Sequence, residues 1–149
     1  MSTMEACRDR IRASGLRATP SRIAVLQVLQ DAARPLSHAD VADALDGSAW
    51  NRSTLWRNLT DLEEAGLVRR TELGDRVWRF EERGRGSDVA THAHPHFICT
   101  HCGTVSCLPD EVVVLPSAVA SAVAPSLPRS LRRRRVEVQI RGLCDTCEG

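Results

Sequence analysis

The sequence contains no lysine and no tyrosine. All 20 basic residues are arginine, so every cationic contact carries planar, bidentate geometry rather than the point charge of an ammonium. Aromatic residues make up 3% of the chain, so a core must rest on Leu, Val, Ile and Ala. Long apolar runs are also missing. Stretches such as Val112–Leu115 are far too short to span a bilayer, which excludes a membrane partner of that kind. Met1–Arg12 is charged and has no apolar segment of the kind a secretory signal needs, which predicts a cytoplasmic protein. An excess of charge is absent too: the formal net charge is +1, and residues 1–83 hold 13 Arg against 13 Asp and Glu. Any attraction to nucleic acid must come from one face rather than from net charge. What the chain does have is 42% hydrophobic residues, enough for one ordinary domain or two small ones in 149 residues. It also has six cysteines, which in a reducing compartment read as metal ligands or reactive thiols rather than disulfides.

Helical spacing runs from Glu5 to Ala13 and stops at Gly15. Thr19 and Pro20 then form an N-cap and N1 pair for a second helix, Pro20–Gln30, with Ile23, Leu26 and Leu29 on one face. Ser37, with Asp40 three residues on, caps a third helix that buries Val41, Ala44 and Leu45. A fourth is expected from Ser53 to Ala65, with Leu55, Leu59 and Leu62 inside and Gly66 as its stop. Leu67–Glu72, Leu73-Gly74-Asp75 and Arg76–Phe80 read as strand, turn, strand. Helices followed by a hairpin outline a winged helix, with Ser53–Ala65 offered to the DNA major groove. Arg52, Ser53, Thr54, Trp56 and Arg57 cluster at its start. The two arginines can reach phosphates or guanine edges, Trp56 can pack on base or sugar, and Arg12, Arg17 and Arg22 can fix orientation on the backbone. A solvated arginine-rich surface is the plainer reading of each. The fold class is thus α+β: a winged-helix domain over 1–82, a linker over 83–91, and a small second domain over 92–149 with strand-like runs at Phe97–Cys99, Thr104–Leu108 and Val136–Arg141.

The strongest pattern is a pair of C-x-x-C motifs, Cys99–Cys102 and Cys144–Cys147, with 41 residues between them. Each turn can bring two sulfurs about 3.5–4 Å apart, as tetrahedral zinc requires. Gly103 suits the tight turn of the first knuckle, and Gly142 allows close backbone approach before the second. A thioredoxin-like redox pair is the rival, but no βαβ pattern accompanies either motif. A closed S4 zinc site would staple the last strand to the first knuckle and stabilise a domain too small for a large core.

His92, His94 and His96 alternate, so on a strand they share one face. If the knuckle is a hairpin turn centred between Thr100 and His101, Cys107 lies opposite His94 and Val105 opposite His96. His94, His96 and Cys107 then converge as two imidazoles and a thiolate, an open zinc-type site. The plainer reading makes the histidines solvated and Cys107 a small apolar filler. Cys7, alone on the first helix, reads as an inert thiol.

Taken together, Gly15–Arg22, Ser53–Leu59, Leu62–Val68, His94–Gly103 and Gly142–Cys147 resemble the ferric uptake regulator family of metal-dependent bacterial repressors, and the chain is most similar to its zinc uptake regulators. The resemblance implies a winged-helix domain followed by an α+β dimerisation domain, a homodimer, and binding to a palindromic operator in double-stranded DNA when the sensed metal is bound. It also implies a sensing site formed by Glu81 at the end of the wing with His94, His96 and, in place of the family's usual acidic residue, Cys107. The family's histidine near Pro35 is missing. His38 stands in another helical phase, and Asp75, His38 or water are the substitutes if Glu81 does not reach. A further metal site of many members falls on Ala93, Pro95, Val114 and Val136, none of which can ligate, so that site is expected to be absent. Trp56 stands where the family usually has Tyr.

A thiolate at Cys107 favours zinc over iron or manganese, which prefer nitrogen and oxygen ligands, and it weakens the peroxide-sensing reading. The expected cofactors are therefore a structural zinc and a second, sensing zinc, with iron or manganese as the alternative for the second. Two other classes compete: a zinc enzyme using His94, His96 and Cys107, which lacks a nearby H-x-E glutamate, and a metal-binding dimerisation module with no DNA role.

Overall fold

The computed structural model describes residues 3–32, 34–84, 95–109 and 138–149. The chain divides into two compact units, Met1–Gly84 and Arg85–Gly149.

The first unit runs α1 (Thr3–Ala13), α2 (Pro20–Asp31), β1 (Leu36–Ser37), α3 (His38–Ala44), α4 (Arg52–Glu64), β2 (Val68–Glu72) and β3 (Trp78–Glu82). Its helix starts are set by side chains. The Thr19 hydroxyl accepts the Arg22 N–H, and Pro20 occupies the first turn. Ser37 and Asp40 close a full capping box: the Ser37 hydroxyl accepts from Asp40 N, and the Asp40 carboxylate accepts from Ser37 N at 2.8 Å. Asn51 Oδ1 accepts the Thr54 N–H at 2.8 Å, which starts α4 one residue earlier than its apolar spacing suggests. Gly66 ends that helix region with φ of 75°, a conformation disfavoured for other residues.

One apolar face from each helix meets the sheet. Ile11, Leu26, Leu29, Val41, Leu55, Leu59, Leu62, Val68 and Phe80 form a single buried cluster. Ala44, expected inside, is exposed because α3 ends there. The sheet order is β1-β3-β2, all antiparallel, with Leu36 opposite Phe80 and Val68 opposite Glu82.

The wing differs from its sequence outline. Its second strand is Trp78–Glu82 rather than Arg76–Phe80. The Glu72 carboxylate folds back to accept the N–H groups of both Gly74 and Arg76 at 2.7 Å, and Arg76 takes a left-handed φ of 61°. The turn therefore spans five residues, and Glu81 and Glu82 are drawn into the strand.

The second unit contains β4 (His96–Cys99), β5 (Val105–Cys107), β6 (Gln139–Gly142) and α5 (Asp145–Glu148). β4 is central, antiparallel to β5 and parallel to β6. His92, Ala93, His94, Val114 and Val136 lie outside the described residues, as does all of the expected linker beyond Gly84. Among the described residues, no helix is long and apolar enough to cross a membrane.

Candidate metal centre and nucleic-acid interface

The four knuckle cysteines are assembled by two backbone devices. At the first, the Cys99 N–H bonds to the Thr104 carbonyl at 2.9 Å and the Gly103 N–H returns to the Cys99 carbonyl at 3.0 Å, with Gly103 at φ 73°. Only a residue tolerant of that φ closes the turn so tightly. At the second, β6 delivers Gly142 alongside Cys99, and the Thr100 N–H bonds the Gly142 carbonyl at 2.8 Å. A Cβ on Gly142 would sit 3.3 Å from the Phe97 ring, so its close approach is real. Cys144 then caps α5, and Cys147 follows on its one turn.

The result is four Sγ atoms within 4.8 Å of one another, with Cys102 and Cys144 3.7 Å apart. Tetrahedral bonds of about 2.3 Å to sulfur place neighbouring sulfurs roughly 3.8 Å apart, so the donor set fits a closed four-thiolate metal site. All four are free thiols. The two C-x-x-C motifs thus meet as one tetrad, which a redox pair would not need.

The local electrostatics point the same way. N–H groups of Cys102 and Cys144 are directed at Cys99 and hold its thiol down to about 6, the Cys144 N–H lying 3.4 Å from the Cys99 sulfur. Bonds from the Thr104 hydroxyl and backbone lower Cys102. Cys147 is pushed up to about 12, first by its bond with Cys144 and then by burial and the other sulfurs. Four thiols this close cannot all ionise by themselves, and a bound dication removes that conflict.

On the same hairpin, His96 pairs directly with Cys107, and Ile98 with Val105. The expected register, with Cys107 opposite His94 and Val105 opposite His96, is corrected by two residues. The turn consumes Thr100 through Gly103, centring it between His101 and Cys102. A shift of two preserves the face, so an imidazole and a thiol still lie side by side, their ligand atoms within 4.8 Å. His96 is buried and Cys107 half-buried. His94 lies outside the described residues.

In the first unit, Glu81 is buried on β3 and forms an ion pair with Arg69, its cross-strand partner on β2. Asp75, named as a substitute ligand, is held by Arg79 through both carboxylate oxygens at 2.7 and 2.9 Å, and its pKa lies below the usual carboxylate value, first through that contact. His38 is also committed, its Nε2 lying 2.8 Å from the Arg52 carbonyl.

The start of α4 presents Arg52, Ser53, Trp56 and Arg57 as exposed residues, with Thr54 half-buried and its hydroxyl bonded to the Asn51 cap at 3.0 Å. Trp56 is 39% exposed, yet its ring stands edge-on to His38 and Phe80, with centroids 5.5 and 5.9 Å away. It is a held surface aromatic rather than a loose one. Arg17 and Arg12 are exposed. Arg22 is different: its guanidinium pairs with Asp61 of α4 and donates to the Arg17 carbonyl at 2.9 Å, tying α2 to α4.

Sequence reasoning missed the wing face. Arg70 lies over the exposed Trp78 ring, 4.2 Å from its centroid. Trp78, one of three tryptophans in a chain with so few aromatics, was the available signal.

Residues 13–120 match the family model of the ferric uptake regulator family. The peroxide operon regulator of Bacillus subtilis is 33% identical over 99 residues, a match covering 65% of this chain and 63% of that protein. The peroxide-responsive repressor PerR of Staphylococcus saprophyticus is 29% identical over 144 residues, covering 93% and 86%. Among solved structures, the ferric uptake regulator of Helicobacter pylori aligns with a TM-score of 0.71 at 21% identity, covering 99% of this chain and 95% of that one. The family match spans well over half of the sequence and includes α4, the wing and the first knuckle. This chain belongs to the ferric uptake regulator family.

Proposed function

We propose that the protein is a zinc-sensing transcriptional repressor of metal-uptake genes, binding a palindromic operator as a metal-loaded homodimer. The observation that carries the choice of metal is the direct pairing of His96 with Cys107. A thiolate beside an imidazole suits zinc, whereas iron and manganese sites favour oxygen donors at that position. The four-cysteine tetrad would hold a structural zinc, supplying stability to a unit whose described core includes only a few buried residues, such as Ile98 and Val105.

The sensing ligands would be Glu81 from the first unit and His94, His96 and Cys107 from the second. When bound, the metal supplies charge and fixed coordination geometry; the protein does the rest. Ligands drawn from both units mean that metal occupancy and the placement of α4 are coupled, and coupling is reciprocal: operator DNA should tighten metal binding by the factor by which metal tightens DNA binding. On α4, Arg52 and Arg57 would reach phosphates and guanine edges, Ser53 and Thr54 the backbone, and Trp56 a base or sugar surface. Arg17 would add a backbone contact, while Arg22 would serve mainly by fixing α4 on α2.

A peroxide-responsive reading has support in the names of the two relatives above, whose sensing role would pass to this chain only if its second site held iron. One experiment separates the readings. Wild type should hold two zinc ions per chain by native mass spectrometry and bind operator DNA in response to zinc. Cys107→Ala should keep one zinc, stay folded and lose the zinc response, and Cys107→Asp should shift activation toward iron or manganese. A Cys107→Ala protein with two zinc ions and an intact zinc response makes Cys107 a packing residue and removes the argument for zinc over iron.

A further inference from the structure

We infer that Arg69 sets the metal threshold of the sensing site by competing with the metal for Glu81. The inference rests on the proposed role of Glu81 as a ligand.

The two glutamates that end β3 point to opposite faces of the strand, and each is engaged by an arginine. Glu82 is held by Arg10 of α1, whose second Nη also donates to the Arg83 carbonyl at 2.7 Å. That is a two-point latch from a packed helix. Glu81 is held by Arg69, its direct neighbour across the β2–β3 ladder. Among the described contacts Arg69 has no second partner, so it is the more easily displaced of the two.

The pair is partly shielded, with 23% of the Arg69 side chain and 9% of the Glu81 side chain exposed. Water therefore screens it weakly, and the guanidinium lowers the electron donation that Glu81 can offer a cation. A divalent metal drawing on this carboxylate must work against a fixed positive charge beside it. Part of the intrinsic affinity is thereby cancelled, and the site fills only at higher metal concentration. The cross-strand position makes this a built feature: the ladder fixes the Cα of Arg69 opposite that of Glu81 whatever the side chains do.

Full-length wild type, Arg69→Gln, Arg69→Lys, Glu81→Gln and the Arg69→Gln/Glu81→Gln double variant are loaded with zinc at the four-cysteine site. The second zinc is then titrated against a chelator of known affinity at fixed pH, without DNA. Arg69→Gln should tighten the second zinc on the order of tenfold, the scale of a lost charge-assisted contact. Arg69→Lys, which keeps the charge, should return it close to wild type, and Arg69→Gln should have no effect in the Glu81→Gln background. Circular dichroism without the second zinc checks that each variant is folded. Unchanged or weaker zinc binding by folded Arg69→Gln overturns the inference, and so does an equal effect with and without Glu81. If Glu81→Gln alone leaves the second zinc unaltered, the fault lies in the proposed ligand set. If Glu81→Gln weakens zinc while Arg69→Gln does nothing, the ligand set stands and the threshold role of Arg69 fails alone.

Discussion

Replacing Phe80 by Ala tests whether the surface aromatic of α4 is held by the core beneath it. Phe80 is 1% exposed and belongs to the single apolar cluster of the first unit. Its backbone is paired on both sides, with Leu36 and with Arg70. Its ring meets Trp56 edge-on. Truncating a buried Phe to Ala costs about 3–5 kcal/mol, and the lost edge-to-face contact adds roughly 0.5–1.5 kcal/mol. A small unit has about 5–15 kcal/mol in total, so Phe80→Ala should leave it marginal. With a urea m-value of about 1 kcal/mol/M, the midpoint should fall by roughly 3.5–6.5 M or the folded baseline should disappear. The assay is clean: all three tryptophans, Trp50, Trp56 and Trp78, lie in this unit, and the chain has no tyrosine. Tryptophan emission during urea titration therefore reports this unit alone. Phe80→Leu keeps apolar volume and should cost about 1–1.5 kcal/mol while freeing Trp56, so it should weaken DNA binding more than its stability loss explains. Zinc at the four-cysteine site should be unaffected in both variants. A Phe80→Ala protein destabilised by under about 1 kcal/mol, with normal DNA affinity, would refute the account of a core-supported Trp56.

Three further outcomes are expected. Arg57→Ala and Trp56→Ala should each lose specific operator binding by roughly 1–3 kcal/mol per subunit at fixed salt with unchanged zinc content; fluorescence anisotropy at wild-type affinity would count against α4 as the reading helix. Cys144→Ser should release the structural zinc and weaken the dimer together, as read by metal analysis and sedimentation, and a fully loaded, dimeric Cys144→Ser would remove the tetrad as a metal site. Asp40 tests the capping box. Burial alone would raise its pKa, but the Ser37 N–H, the Ser37 hydroxyl and Arg34 lower it below 3.8 overall. A lowered folded value means the contribution is present above the unfolded value and is lost as pH falls through the folded one. Asp40→Ala should therefore cost about 1 kcal/mol at pH 7, and the gap to wild type should close below the ordinary carboxylate range; a gap that is constant down to acid pH would show that the carboxylate charge is irrelevant.

What could be read from the sequence was whatever is encoded locally. Thr19, Ser37 with Asp40, and Gly66 act within one helical turn of themselves, and each sits where the pattern places it. The doubled C-x-x-C was legible for the same reason, since each half is a four-residue turn, and only their meeting is long-range. The wing strand was misplaced because Glu72 bonds two backbone N–H groups beyond it, an arrangement no alternation of apolar residues records. The β4–β5 register slipped by two because Gly103 adds to the turn, yet the face held, since side-chain direction depends only on parity.

The arginines show the limit most sharply. In the sequence they are one class of cation, equally suited to solvent or phosphate. In the fold they separate: Arg10, Arg22, Arg69 and Arg79 turn inward onto Glu82, Asp61, Glu81 and Asp75, while Arg17, Arg52 and Arg57 stay exposed. The acidic partner of each lies between 4 and 72 residues away, so spacing could mark only the Asp75–Arg79 pair. This division separates arginines held in shielded ion pairs from those available at the surface. Each inward pair removes one cation and one carboxylate together, so the balance is unchanged; at the start of α4, Arg52 has only an exposed, solvent-screened contact with Asp43 at 3.8 Å. Weakening one inward pair should therefore change DNA binding through the position of α4 or the metal site rather than through net charge. Asp61→Asn and Glu81→Gln, which remove the same single charge, should thus differ: the first should loosen α4 without altering zinc stoichiometry, and the second should act on the sensing metal.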